Sequence, residues 1–574
     1  MATPPRYDRF RRLDQDRFDV VIVGAGMGGL TAGALLSQRG RSVLVLDQHY
    51  VPGGNATIFK RPGYEFDVGV HYLGQCGPDG ILPRILHAAG ARGVRFGRMD
   101  PDGFDTLLFD GLEFRVPVGV DAYRDRLVQH FPQERAGIDR YVGLLTAAAN
   151  LQRVAQKPKR ALSWSRGQAW GALKALRWVD STLGSFLDSC SADPLLRAVL
   201  AAENGTYAEP PSRVSLVLHL GLMLHYLEDG GYYPQGGGQV PADALADAIE
   251  GAGGKLLLST QVNKIRVQGG RAAGVEISNK HLGRRFVAAG TVISNADIKK
   301  TLLQLVDRGA VSRATTTRAQ RWEMAPALGV TYLGVKASVL GKRGMRNTNY
   351  WVYPSTDMET LYADAREGRL SEEPMVYATL ASLKDPDNTR LAPEGVLNLQ
   401  LMTAVPSQPS AWGVTAAQAK DGSYGDVPEY RARKAEFAER MRRGAARAFP
   451  TLEECVVFEE VATPLAHSRY TGATGGTSYG LALIREQFLH RRPGAETEIP
   501  DLLLCGASMR TAHGILGAMT SGVVAAAHVA GRSVYRDAFG TAAPGEPALL
   551  SQPVPAELKP TAALRGAARV EAPR

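Results

Sequence analysis

Residues 18 to 74 constrain this chain more than any other stretch. An apolar run, Phe18 to Val23, leads into Gly24, Gly26, Gly28 and Gly29, then an Ala/Leu-rich stretch, then a second apolar run, Ser42 to Leu46, that ends at Asp47. This is the pattern of a βαβ unit. The first glycine permits the tight turn, the second lets backbone approach a pyrophosphate, and Gly29 lets helix and strand pack closely. The helix N-terminus supplies free N–H groups for phosphate, and Asp47 stands where a carboxylate accepts from ribose hydroxyls. Strand, helix and acid are all present around the glycines, so the motif predicts a Rossmann-type dinucleotide site.

Pro52-Gly53-Gly54 follows only a few residues after Asp47. A second backbone approach to the diphosphate from this loop points to FAD, because simple nicotinamide dehydrogenases lack it. No second GxGxxG follows a strand, so a separate NAD(P)H site is not expected. The glycines of GATGGTSYG, residues 472 to 480, have no βα context and read as a pocket loop.

The segments QHYVPGG and GYEFDVGVHYLG, with Tyr232-Tyr233-Pro234-Gln235-Gly236-Gly237 and PDLLLCGASMRTAHGILGAMTSGVVAAAHVAG, resemble the superfamily of phytoene desaturases, carotenoid isomerases and retinol saturases. The likeness is nearest to the saturase and isomerase branch, and it is collinear over most of the first 535 residues. It implies an α/β protein with a Rossmann-type FAD-binding domain, like that of flavin amine oxidases, and a discontinuous α+β substrate domain. By the same resemblance Val262 meets adenine, Gly506 and Ala507 approach the cofactor, and the helix from Gly514 points its N-terminus at the flavin. His71, Tyr72 and His513 then converge on the flavin as candidate catalytic residues, because a histidine or tyrosine can move a proton at an alkene carbon. Asn55 stands where many relatives have Arg or Lys against the pyrophosphate, and Asp47 replaces the more frequent Glu. The His513 segment lacks the glycine run of phytoene desaturases, which weakens the desaturase assignment.

Those segments divide the chain. Residues 18–90, 236–300 and 501–535 are expected to form the FAD domain, and the insertions 91–235 and 301–500 the substrate domain. A polar arm, 1–17, precedes them, and a Pro/Ala-rich stretch, 536–574, reads as a disordered tail. Within the insertions, DTLLFDGLEFRVPVG, GVTYLGVKASV and VLNLQLMTAV read as strands. The stretch Val214 to Glu228 is apolar nearly all round, as in a helix that is buried or lines an apolar pocket.

At 574 residues with 44% apolar composition, the chain can bury a large core. Lys and Arg outnumber Asp and Glu by 67 to 57, a net +10. With no nucleic-acid motif in view, an anionic lipid surface is the fitting partner, although arginine excess also serves plain solubility. The segment 157–180, in which Trp164, Trp170 and Trp178 alternate with six basic residues, suits an interfacial helix. Its competing reading is a solvated basic helix. Cys76, Cys190, Cys455 and Cys505 are scattered and no HExxH occurs, so neither disulfides nor a metal are expected. The polar N-terminus predicts a cytoplasmic protein, peripheral to a membrane if it meets one.

The leading expectation is an FAD-dependent oxidoreductase acting on carbon–carbon double bonds of a long apolar polyene, as saturase, desaturase or isomerase. Electrons would be exchanged with an external quinone or oxygen. The alternatives are a flavin amine oxidase, for which the sequence marks neither aromatic cage nor lysine, and a non-catalytic membrane-associated flavoprotein.

Overall fold

The computed structural model describes residues 6–7, 13–156 and 165–540. Two seven-stranded sheets organise it. The strands are, in chain order, β1 (Arg17–Val23), β2 (Val43–Leu46), β3 (Asp105–Phe109), β4 (Leu112–Val116), β5 (Lys255–Leu257), β6 (Thr260–Gln268), β7 (Arg271–Asn279), β8 (Gly283–Ser294), β9 (Ala327–Lys336), β10 (Asn349–Val352), β11 (Val376–Leu380), β12 (Val396–Val405), β13 (Val456–Ala462) and β14 (Leu502–Leu504).

The first sheet has the order β6-β7-β8-β1-β2-β5, with β14 also paired to β8. Its centre is parallel: β1 lies between β8 and β2, with Val20 opposite Thr291 and Val43. Parallel strands need crossover connections, and here they are the helices α1 (Met27–Ser37) and, later in the chain, α4 (Val240–Gly251). Every residue of α1 is buried. Helix α7 (Gly514–Ala530) packs against it through small residues: a Cβ added at Gly522 would stand 2.3 Å from the Gly28 carbonyl oxygen.

The second sheet, β13-β9-β12-β11-β10-β3-β4, is antiparallel except where β10 runs parallel to β3. Both chain insertions therefore contribute to one sheet. Strand β12 coincides with the run VLNLQLMTAV read from sequence, and β9 starts two residues before the run GVTYLGVKASV and ends three before its end; apolar-rich runs of this length suit a strand buried on both faces. One face of β12 packs on helix α6 (Pro428–Ala445), whose Phe437 and Met441 are buried, while Met402 faces a cavity. Helix α3 (Leu216–Leu227) occupies the stretch that is apolar all round, and its Leu218, Leu222 and Tyr226 line the same cavity.

The hairpin Ile58–Arg61/Tyr64–Asp67 leaves the first sheet and leans on the second. Phe59 meets Tyr332 edge-on at 4.7 Å, and Tyr64 stacks on Phe458 at 4.6 Å. Arg61 grips Glu460 through Nε and Nη2. At the C-terminal side the tail boundary needs correcting: α8 (Ser533–Phe539) carries helical structure past residue 535, with Val534 and Ala538 buried. The remainder of that tail, 541–574, lies outside the described residues, as do Lys157, Lys159, Arg160 and Trp164 of the basic tryptophan segment. The rest of that segment contains α2 (Arg166–Leu176), where Trp170, Leu173 and Leu176 are exposed; Trp178 beyond it packs on Phe186.

Candidate active site

One cavity of about 1180 Å³ runs from the glycine loop of the first sheet to the inner face of the second. At the loop, Gly24 has φ 102°, a conformation that suits only glycine. The Gly53 N–H bonds the Ala25 carbonyl at 2.8 Å, and Gly26 pairs with Gly53 as a parallel bridge. The two glycine motifs thus meet backbone to backbone. Gly24, Gly26, Gly28, Gly53, Gly54, Asp47, Asn55 and Val262 all line this end, joined by Gly506, Ala507 and Gly514 from the chain's last flavin-like segment. Gly29 is the one cofactor candidate off the wall; it packs beneath, where a Cβ would stand 2.1 Å from the Gly24 oxygen.

Asp47 is held by the protein's own backbone. Its Oδ2 accepts from Ala25 N–H at 2.7 Å and its Oδ1 from His49 N–H at 2.8 Å, so it braces the glycine loop from below. Burial raises its pKa, and these two bonds oppose that shift. Asn295, at the turn after β8, lies across the loop: a Cβ at Gly26 or Gly28 would meet its amide at 2.7 Å. Nothing in its local sequence marks it as a loop neighbour.

The structure brings His71, Tyr72 and His513 to one cavity, with different commitments. Tyr72 points its hydroxyl away from the space, donating to buried Asp105 at 3.0 Å. Burial, then the Asp105 charge, pushes the phenol well above its ordinary range. His513 Nε2 lies 2.7 Å from the Thr206 carbonyl oxygen, which can only accept, so Nε2 carries the hydrogen and Nδ1 is the bare nitrogen. That Nδ1 is buried and has no partner. Burial lowers the His513 pKa to about 4, and burial with the Lys384 charge lowers that of His71 to about 3. Both imidazoles are neutral at pH 7.

Lys384 explains much of this corner. It is 1% exposed and donates to the His71 carbonyl at 2.6 Å, to Asn349 Oδ1 and to Thr379 Oγ1. Asn349 in turn donates to Asp105 at 2.8 Å. The ammonium sits 5.8 Å from the Tyr72 ring centre and 5.9 Å from that of Tyr233, whose hydroxyl bonds buried Asp67. Desolvation pulls Lys384 down to about 7, opposed by Asp105 and Asp67, while desolvation raises each of those carboxyls to about 6.

In front of this cluster the walls are aromatic. Tyr72 stacks on Tyr226 at 4.4 Å, Trp351 lies 4.4 Å from Tyr377, and Tyr479 lies 4.7 Å from His513. Neither the aromatic enclosure nor the lysine is marked in the sequence, and the structure has both, from residues scattered between Tyr72 and Tyr479. Tyr470 also lines the cavity, near its mouth with Lys434 and Arg469, whereas Arg510 does not. His219 is a satisfied core histidine, bonded by the hydroxyls of Tyr141 and Tyr207. Among the described residues no cluster of His, Cys, Asp or Glu is placed to hold a metal.

The site fits a flavin dinucleotide. Backbone glycines offer the diphosphate cradle, and two buried polar atoms on the wall, Asn55 Oδ1 and His513 Nδ1, lack protein partners.

Comparison with known proteins agrees with this geometry. Residues 22–88 match the model of an NAD(P)-binding Rossmann-like domain. The chain is 29% identical over 548 residues to the all-trans-retinol 13,14-reductase of Macaca fascicularis, covering 91% of this chain and 87% of that protein. It is 28% identical over 527 residues to prolycopene isomerase 1 of an Oncidium hybrid cultivar, covering 90% and 84%. Among solved structures, a putrescine oxidase superposes with a TM-score of 0.58 at 15% identity, over 90% of this chain and 99% of that one, so the fold is of the flavin amine oxidase type.

Proposed function

We propose that this chain, similar to retinol saturases and carotenoid isomerases over 91% and 90% of its length, is an FAD-dependent oxidoreductase acting on carbon–carbon double bonds of a long apolar polyene or isoprenoid. The observation that carries this reading is the single continuous cavity, glycine-built at one end and walled by Tyr226, Trp351, Tyr377 and Met402 at the other. An extended hydrocarbon can lie in such a chamber with its reacting bond against the cofactor end. When bound, FAD supplies hydride transfer to or from carbon.

The protein's own residues set everything else. Gly24, Gly26, Gly28, Gly53 and Gly54 would hold the diphosphate, Val262 the adenine, and Ala507 and Gly514 the flavin edge. Asn55, one amide hydrogen of which bonds the Ser478 carbonyl at 3.2 Å, joins the cradle to the pocket loop 472–480 and presents its free oxygen inward. His71 is the proton-handling candidate best placed to act, since the other two have committed a hydrogen: Tyr72 to Asp105, His513 to Thr206. Burial, with the Lys384 charge, lowers the His71 pKa to about 3, so its imidazole is neutral and also a weak base. The arrangement thus favours isomerisation, which needs no net proton transfer, over both the saturase and the desaturase direction. Lys384 supports no amine-oxidase reading, because its three acceptors hold it behind the wall.

Exposed Trp170, Leu173 and Leu176 on α2, beside basic Lys174, support contact with an anionic membrane from which an apolar substrate would be drawn. Among the described residues no helix is long and apolar enough to cross a bilayer. Electrons would pass to or from a quinone or oxygen.

The test is anaerobic photoreduction of the purified protein followed by separate addition of all-trans-retinol, lycopene isomers and phytoene. Polyene geometry that changes while the visible spectrum stays reduced makes it an isomerase. Flavin colour that returns only with a polyene, with a saturated product on chromatography, makes it a saturase. A colourless protein that binds no flavin refutes the proposal.

A further inference from the structure

Arg492 is a charge that the chemistry above does not use. It is 1% exposed, and it donates to four carbonyls: Met509 at 2.7 Å, Ala507 at 3.0 Å, Leu481 at 3.1 Å and Ala482 at 3.2 Å. Those oxygens belong to two segments, 481–482 and 507–509, whose residues Leu481, Ala482, Ala507, Ser508 and Met509 carry no charge. No carboxylate of the described residues lies within ion-pair distance of it. The ionisable side chains that reach it from elsewhere are His513, itself neutral, and Arg510, which bonds the Arg492 carbonyl at 3.5 Å.

A buried guanidinium with no counter-ion is costly, and proteins seldom retain one. Burial alone lowers its pKa, to about 9, so it remains a cation at neutral pH. Ala507 lines the cavity, which places this cation one residue behind the wall. Helix α7 starts at Gly514 on the same wall, and its N-terminus adds positive potential of independent origin. In a medium that screens poorly, the two sources add at one end of the cavity. They match a ligand that gains negative charge there.

We propose that Arg492 is a positioning residue that keeps the closing flavin motif in place and holds the reduced flavin in its anionic form. This rests on the FAD reading. Two-electron reduction delivers one proton with the electrons to N5. The N1–C2=O edge then either keeps a negative charge, with one proton taken up in all, or is neutralised by a second proton. A fixed cation behind Ala507 selects the first outcome. An arginine that merely tied four carbonyls together would leave the choice to pH.

The measurement is proton uptake during anaerobic electrochemical reduction of the flavin-loaded protein through a viologen mediator, which carries electrons without protons, followed near neutral pH with an indicator dye. One proton per flavin is expected, and two would overturn the proposal. Arg492→Gln and Arg492→Lys then separate charge from hydrogen bonding. The glutamine variant is expected to take up close to two protons and to favour the oxidised flavin by about tenfold more than the unsubstituted protein. The lysine variant is expected to stay at one. Equal behaviour of the two variants overturns the proposal, and if the glutamine variant does not fold, Arg492→Met supplies the uncharged comparison, with close to two protons expected and one overturning it. A protein that takes up no flavin refutes the FAD reading itself, which the visible spectrum reports before any proton is counted.

Discussion

Lys384 illustrates how one side chain can set the properties of residues that sequence reading ranks above it. It fixes the His71 carbonyl, lowers the His71 pKa by its charge, and through Asn349 orders the carboxylate that takes the Tyr72 hydrogen. Its pKa in the folded protein is lowered, to about 7 from 10.5, so between those values the unfolded chain binds more protons and stability rises with pH. Lys384→Met removes that contribution. The variant's melting temperature relative to the unsubstituted protein is therefore expected to fall as pH is raised from 7 to 10, and scanning calorimetry across that range checks it; a constant difference would show that the ammonium is not desolvated. Nothing in LASLKDPDN announces a buried lysine, because Lys followed by Asp, Pro and Asn reads as a solvated turn. Asp105 and Arg492 were illegible for the same reason: a charged residue reveals its burial only through partners far away in sequence. The cofactor glycines were legible because their requirement is local backbone geometry.

Elements whose pattern is periodic or run-like could be read directly, as with β9, β12 and the all-apolar α3. What could not be read is that β3 and β10, more than 240 residues apart, lie side by side in parallel and so fuse the two insertions into one sheet. Pairing of that kind leaves no periodic trace in either strand. The packing of α7 on α1 is legible only in part: small residues are visible, but not which glycine meets which backbone. Gly522 is the point of closest approach, with Gly28 C and Ala32 N each 3.1 Å from an added Cβ in addition to the Gly28 oxygen. Gly522→Ala is expected to cost about 1–3 kcal/mol by overpacking against backbone that cannot rotate aside. Because Gly28 stands on the cavity wall, the same substitution should lower the flavin-to-protein absorbance ratio, and a variant with unchanged melting and full colour would contradict this close packing.

For the molecule as a whole, the two sheets share one cavity, and the hairpin 58–67, anchored by Arg61 to Glu460, ties the cofactor side to the second sheet. The chain carries a net +10 charge, and among the described residues Trp170, Leu173 and Leu176 of α2 protrude together. Flotation with vesicles containing anionic lipid is expected to recover the protein in a salt-sensitive manner. Replacing Trp170, Leu173 and Leu176 together by Ala should reduce recovery about tenfold or more, since three such side chains lose their burial. Recovery that survives the triple substitution would assign the contact to charge alone. The placement of β14 has a further consequence. Leu502–Leu504 completes the pairing of β8, which also lies against β1 from the start of the chain. As the chain is made, β1 has both of its partners by residue 294, whereas the edge Val292–Ser294 of β8 stays open until Leu502–Leu504 follows. A chain cut short before Leu502 is therefore expected to leave that apolar edge open and to associate through it.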